Sequence, residues 1–181
     1  MITNIIKSTV DKFGQRSKKK RYEKLVAEYS QDLYRYAYWL CHHPHDAEDL
    51  VQETYLRAWR FLDNLKDDEL AKPWLITILR RENARRFRGQ PVEHVNIEDC
   101  DFLYHDERPD LDATLRAKII ALPDIYREPL LLQIVMGFTA DEISKITALN
   151  LNTVLTRLSR GKKQLFDNDT DTNDLRTRYG A

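Results

Sequence analysis

The sequence predicts an all-α protein: two small helical domains joined by an acidic linker, the C-terminal one a helix-turn-helix. Three observations predict it. Apolar residues recur at helical spacing with few strand-like alternations. Only five glycines and six prolines interrupt 181 residues. A segment rich in carboxylates and lacking helical period separates two amphipathic stretches.

Composition narrows the function classes. Lys and Arg total 29 and Asp and Glu total 29, so the net charge is zero. The distribution is uneven. Between Pro91 and Asp112 stand eight acids and one base, Arg108, so the rest of the chain carries the compensating positive charge. No run approaches the ~18 apolar residues of a membrane span, and the lysine-rich start lacks the apolar centre of a secretory signal. Cys41 and Cys100 form no CxxC pair, which suits a reduced, cytoplasmic protein.

Residues 1–21 read as a basic, weakly structured N-terminal extension ending in Lys18, Lys19, Lys20 and Arg21. The first domain spans 22–90. A helix from Tyr22 to Cys41 presents Leu33, Tyr36, Ala37 and Leu40 on one face. His42, His43, Pro44 and His45 break it, and Asp46 is expected to cap the next helix. There Ala47, Leu50, Val51, Thr54 and Ala58 form the inner face, while Asp49, Gln52 and Glu53 form an outward acidic patch. Pro73 is expected at the first position of a third helix, running from Trp74 to about Arg88 and stopped by Gly89 and Pro91. Its second half is basic, with Arg80, Arg81, Arg85, Arg86 and Arg88 opposed only by Glu82 and interleaved with Phe87. Arginines follow a single-stranded backbone and an exposed ring stacks on bases, at about 1–3 kcal/mol per base. Trp39, Trp59 and Trp74 read as core residues.

Residues 91–111 form the acidic linker; extended, the stretch from Pro91 to Asp112 reaches ~75 Å at ~3.4 Å per residue, about two turns of DNA. The second domain spans 112–167. Helices are expected from Leu111 to Leu122, ended by Pro123, and from Ile125 to Met136, ended by Gly137. Thr139 and Glu142 form a capping box for a short helix through Ile146. After the turn Ala148-Leu149-Asn150, a helix from Leu151 to about Phe166 points Asn152, Thr153, Thr156, Arg157 and Arg160 outward and holds no acid through Leu165. First-turn side chains of such a helix reach base edges in the major groove, and later bases meet phosphates. Residues 168–181 form a polar tail, expected to be disordered.

Read from the residues alone, the acidic patch serves equally as a solvated face, and the second domain as a small bundle with a basic surface. Cys41, His42, His43 and His45 are metal donors by type, but no second ligand group follows at metal-site spacing, so they read as an interhelical turn and no cofactor or metal is expected. No nucleophile–base pair and no glycine-rich phosphate loop suggests catalysis.

Two stretches in order resemble one family. Asp46-Ala-Glu-Asp-Leu-Val-Gln-Glu-Thr-Tyr-Leu-Arg-Ala-Trp59 resembles the polymerase-binding motif of extracytoplasmic-function (ECF) RNA polymerase sigma factors, and Pro73-Trp-Leu-Ile-Thr-Ile-Leu-Arg80 the start of their promoter-melting helix. Ala121 to Leu132, Gly137 to Ile143, and Asn152 to Arg160 resemble their C-terminal DNA-binding domain. The resemblance implies a non-enzymatic factor that directs core polymerase to promoters. It places Asp49, Gln52 and Glu53 on the polymerase. Arg80, Arg81, Asn83, Arg85, Arg86, Phe87 and Arg88 fall at the melted −10 element, and Thr139, Asn152, Thr153, Thr156, Arg157, Arg160 and Lys163 at the −35 element. It further implies an anti-sigma partner and an acidic linker that threads toward the RNA exit path. A stand-alone helix-turn-helix regulator is the alternative, though no dimerising heptad supports it. The chain departs from the family at Arg81 and Arg85, where relatives often have Asn and Asp. It departs again at Leu155, often basic, and at Ala148, often glycine, which requires the turn to avoid positive φ.

Overall fold

The computed structural model describes residues 2–86 and 113–166, with side chains from 15 in the first stretch and from 115 in the second. The expected linker and tail lie outside the described residues. Every described element is helical: α1 (Ile2–Cys41), α2 (Pro44–Phe61), two 3₁₀ turns (Leu62–Asn64 and Asp68–Leu70), α3 (Ala71–Arg86), α4 (Ala113–Ala121), α5 (Asp124–Ile134), α6 (Ala140–Thr147) and α7 (Leu151–Phe166). The chain divides into two compact units, Met1–Val92 and Glu93–Ala181.

In the first unit α1, α2 and α3 pack on one another. Leu33, Tyr36 and Ala37 of α1 meet Ala47, Leu50, Thr54 and Ala58 of α2 and Leu75, Ile76 and Leu79 of α3, all buried. Each fully buried leucine or isoleucine contributes roughly 1.5–3 kcal/mol. The expected inner faces are therefore the observed ones, with Leu40 and Val51 at their half-buried margins. Trp39 is buried, and Trp74 packs on the cluster of Leu25, Leu62, Leu65 and Ala71. Trp59 departs from the expected core role. It lies at the surface, with Tyr22 edge-on at 5.1 Å and the Lys18 ammonium 5.4 Å from its ring centre.

The start of the chain also departs from expectation. The first helix begins at Ile2 rather than Tyr22, and the basic run is part of it. No proline occurs before Pro44 to stop that helix. Lys18 pairs with Asp63, while Arg21 pairs with Asp68 at 2.6 Å and donates to the Leu62 and Leu65 carbonyls. These contacts clasp the turns that lead into α3.

Asp46 is not the cap of α2. His43 occupies that position with extended backbone, and Pro44 opens the helix. A proline at the first helical position lacks only an N–H that has no intrahelical partner, so the helix starts three residues earlier than the Asp46 cap implied. His42 terminates α1 at φ +56°, its N–H returning to the Tyr38 carbonyl at 2.8 Å. Pro73 lies third in α3 rather than first; any of the first four N–H groups is dispensable there.

In the second unit α7 packs against α4, α5 and α6. Leu115, Ile119, Leu130, Leu131, Ile143, Ile146, Val154, Leu158 and Leu165 are buried. Gly161 lets α7 approach α5: a Cβ there would stand 2.6 Å from Leu130 Cδ1. Arg127 ties the α4–α5 turn, donating through Nε and Nη2 to the Leu122 carbonyl at 3.1 and 2.8 Å. After α5, which ends at Ile134 rather than Met136, Gly137 adopts φ +74°. The expected capping box is present, with Thr139 N–H donating to Glu142 Oε2 at 2.8 Å and Glu142 N–H to Thr139 Oγ1 at 3.3 Å.

The turn between α6 and α7 overturns one expectation. Ala148 has φ +56° and ψ +33°, the left-handed conformation that it was expected to avoid. An L-residue with a Cβ pays about 1 kcal/mol or more there. The cost is met because the Ala148 and Leu149 N–H groups both close the end of α6 on the Ser144 carbonyl. Replacing Ala148 with glycine should therefore stabilise the second unit by about 0.5–1 kcal/mol, read as a rise of a few degrees in its thermal midpoint; an unchanged or lower midpoint refutes the strain.

Candidate protein-docking and nucleic-acid surfaces

On the outer side of α2, Gln52 is exposed and Asp49 and Glu53 are half-exposed. The packing of α2 against α3 brings this acidic face to the basic end of α3. Glu82 of α3 is 5% exposed. Its Oε1 lies 2.8 Å from Arg57 Nε, and its Oε2 lies 2.6 Å from Arg85 Nη2. Glu53 Oε2 lies 3.6 Å from Arg85 Nη2 and 3.7 Å from Arg86 Nε. Arg86 also donates to the Asp46 carbonyl at 3.0 Å.

The expectation that only Glu82 opposes the arginines of α3 is corrected. A second carboxylate, Glu53, reaches them from α2, and only packing between helices reveals it. Asn83, also expected at single-stranded DNA, accepts from the Cys41 thiol at 3.9 Å. Arg81 is exposed and Arg80 is half-buried. Phe87 and Arg88 lie outside the described residues.

The donors around the α1–α2 turn go to separate partners. Burial pushes the Cys41 thiol up to about 11, and that thiol faces Asn83. His43 Nδ1 lies 3.9 Å from Asp46, and His45 Nε2 3.9 Å from Asp49. Among the described residues no three such side chains converge.

In the second unit a groove of about 370 Å³ runs between the start of α5 and the outer face of α7. Asn152, Thr153, Thr156, Arg157 and Arg160 line one side, Ile125 and Tyr126 the other, with Asn150 at its end. Five of the seven residues expected at duplex DNA are thus brought together. Thr139 is not among them: its hydroxyl and N–H are both engaged by Glu142. Lys163 lies beyond Arg160 on the exposed side of α7. Asn150 was unrecognised as the cap of α7; its Oδ1 accepts from Thr153 N–H at 2.7 Å. Asparagine three residues before Thr153 carried that signal. Ile125, 51% exposed, and Tyr126 carried none, because their place depends on how α5 meets α7. Leu151 and Leu155 are exposed despite their apolar character.

A helix-turn-helix whose second helix is capped, acid-free and lined with Asn, Thr and Arg gives the second unit the architecture of a duplex-DNA-binding module. Comparison with known proteins extends this to the whole chain. Residues 25–91 match sigma-70 region 2, and residues 113–165 match sigma-70 region 4. The chain is 32% identical to the ECF RNA polymerase sigma factor SigE of Mycolicibacterium smegmatis over 87% of its own length and 65% of that protein, so it spans just under two thirds of that relative. It is 30% identical to the RNA polymerase sigma factor SigV of Bacillus subtilis, over 76% of this chain and 84% of that protein. Among solved structures, the sigma factor RpoE of Bartonella quintana, in complex with the anti-sigma factor NepR, shares 25% identity with a TM-score of 0.68, over 82% of this chain and 96% of that one. CnrH, in complex with the cytosolic domain of CnrY, shares the fold with a TM-score of 0.60 at 22% identity, over 80% of this chain and 84% of that one. The chain belongs to the ECF family of RNA polymerase sigma factors.

Glu82 is the electrostatic pivot of the first unit. Glu82→Gln should lower its unfolding free energy by about 2 kcal/mol, because the change removes the charge that holds two guanidiniums. Urea denaturation measures this, and a loss below about 0.5 kcal/mol, the usual scale of a surface substitution, contradicts it.

Proposed function

We propose that this sigma factor brings core RNA polymerase to its promoters through three surfaces, while the polymerase performs the chemistry. The acidic face of α2, with Asp49, Gln52 and Glu53, docks on a basic polymerase surface. The end of α3, with Arg80, Arg81, Arg85 and Arg86 leading toward Phe87 and Arg88, engages the opened −10 element; Asn83 contributes by orienting that end of the helix. The groove of α7 reads the −35 element, with Asn152, Thr153 and Thr156 toward base edges and Arg157, Arg160 and Lys163 toward bases and phosphates. Residues 22–90 and 112–167 act as the two working domains, and residues 91–111 as an acidic tether between them.

The observation that carries this reading is the sorting of charge onto separate helices. The α7 groove is acid-free, whereas α2 presents carboxylates that phosphate would repel. The cytoplasm, where the polymerase works, is the expected compartment; among the described residues no helix is long and apolar enough to cross a membrane. The RpoE structure, solved with the anti-sigma factor NepR, supports an anti-sigma partner here as well.

Run-off transcription on genomic promoter fragments, with core polymerase and with or without the chain, tests the proposal; transcripts that do not depend on the chain refute it. Changing Asp49 and Glu53 together to lysine should weaken core binding at least about tenfold, or ~1.4 kcal/mol, with the helical circular dichroism unchanged. Retained affinity removes the α2 assignment. Arg157→Ala should cost about 1–3 kcal/mol on the cognate promoter and much less on unrelated duplex. An equal loss on both would make Arg157 a phosphate contact.

A further inference from the structure

Two carboxylates hold the arginines at the end of α3, and they differ in kind. The Glu82 side chain is 6% exposed and sits at 2.6–2.8 Å from its partners. Stripped of water, it needs both guanidiniums and stays paired. The Glu53 side chain is 41% exposed, and its pairs with Arg85 and Arg86 are long, at 3.6 and 3.7 Å. Neither pair makes a hydrogen bond, although Glu53 Oε2 itself is shielded from water, so the carboxylate is weakly held and exchanges with a competing charge. Yet Glu53 lies on the face proposed to meet polymerase.

We infer that Glu53 is a shared ligand: in the free chain it covers Arg85 and Arg86, and a basic polymerase surface that takes Glu53 uncovers them for nucleic acid. The inference rests on the docking role proposed for α2. Withdrawing Glu53 leaves Arg57 and Arg85 on Glu82 and takes from Arg86 the carboxylate it faces. Arg85 keeps its contact with Glu82 and Arg86 its bond to the Asp46 carbonyl, so both stay aimed while their charge is freed. Polymerase docking and single-strand binding are thereby coupled through one side chain. The coupling is reciprocal, because a strand that takes the arginines frees Glu53 for the polymerase. A free sigma factor is in this way kept from holding single strands before it has met its enzyme.

The test uses the full chain without polymerase and a fluorescent mixed-sequence single strand of about 12 nucleotides, followed by anisotropy at about 50 mM salt. Glu53→Gln should bind about fivefold tighter than the native chain. Asp49→Asn is the control, since it neutralises a carboxylate of the same helix that faces His45 at 3.9 Å; it should change affinity by less than about 1.5-fold. Adding Arg85→Ala and Arg86→Ala to Glu53→Gln should abolish the gain. The inference is overturned if Glu53→Gln binds no tighter, if Asp49→Asn gives the same gain, or if the gain survives loss of both arginines. Core affinity measured on the same Glu53→Gln chain separates the two readings: undiminished core binding beside an intact single-strand gain removes the docking role, and with it the release step, while leaving the covering contact established.

Discussion

The first unit depends on one buried carboxylate. Glu82 stands where the apolar half of α3 gives way to its arginines, and it is almost fully removed from water. A lone charge there would be untenable, so its burial requires a guanidinium from α2 as well as one from its own helix. That requirement fixes how the two helices lie against each other at their polar ends, where leucine and isoleucine packing no longer decides. The acidic face and the basic end are neighbours for this reason, although 32 residues separate Glu53 from Arg85 in sequence.

The second unit is held in shape by different means. Its short helix is fixed at one end by the reciprocal Thr139–Glu142 bonds and at the other by the left-handed turn at Ala148. Gly161 draws α7 close to α5, so α5 supplies Ile125 and Tyr126 to the wall opposite Asn152 and Arg157. The helix proposed to read duplex DNA is thereby one side of a shaped groove, where apolar atoms would meet base methyl groups and side-chain donors base edges.

Sequence pattern alone located most of the architecture. Helical periodicity found the buried faces of α1 and α2 and the outward face of α7, and the capping box was readable because its two partners lie three residues apart. Signals failed where the deciding partner was distant or the backbone was strained. The pairing of Glu53 with Arg85 and Arg86 is tertiary. The His43 cap was hidden because Asp46 is the better cap by type, and the local geometry of Pro44 prevailed over it. The glycine-favouring turn at Ala148 was misjudged because the amino acid argues against the conformation that the surrounding hydrogen bonds impose. Of the docking and groove residues, those on a single helix face were legible; those contributed by a neighbouring helix were not.

The clasp made by Lys18 and Arg21 bears on where this sigma domain begins. Family similarity starts at residue 25, downstream of both side chains. Yet they anchor Asp63, Asp68 and two carbonyls of the connection that sets the register of α3. A fragment trimmed to the matched boundary keeps every residue of the recognisable motif and loses that brace. The structural edge of the domain thus lies upstream of the edge that the family match draws.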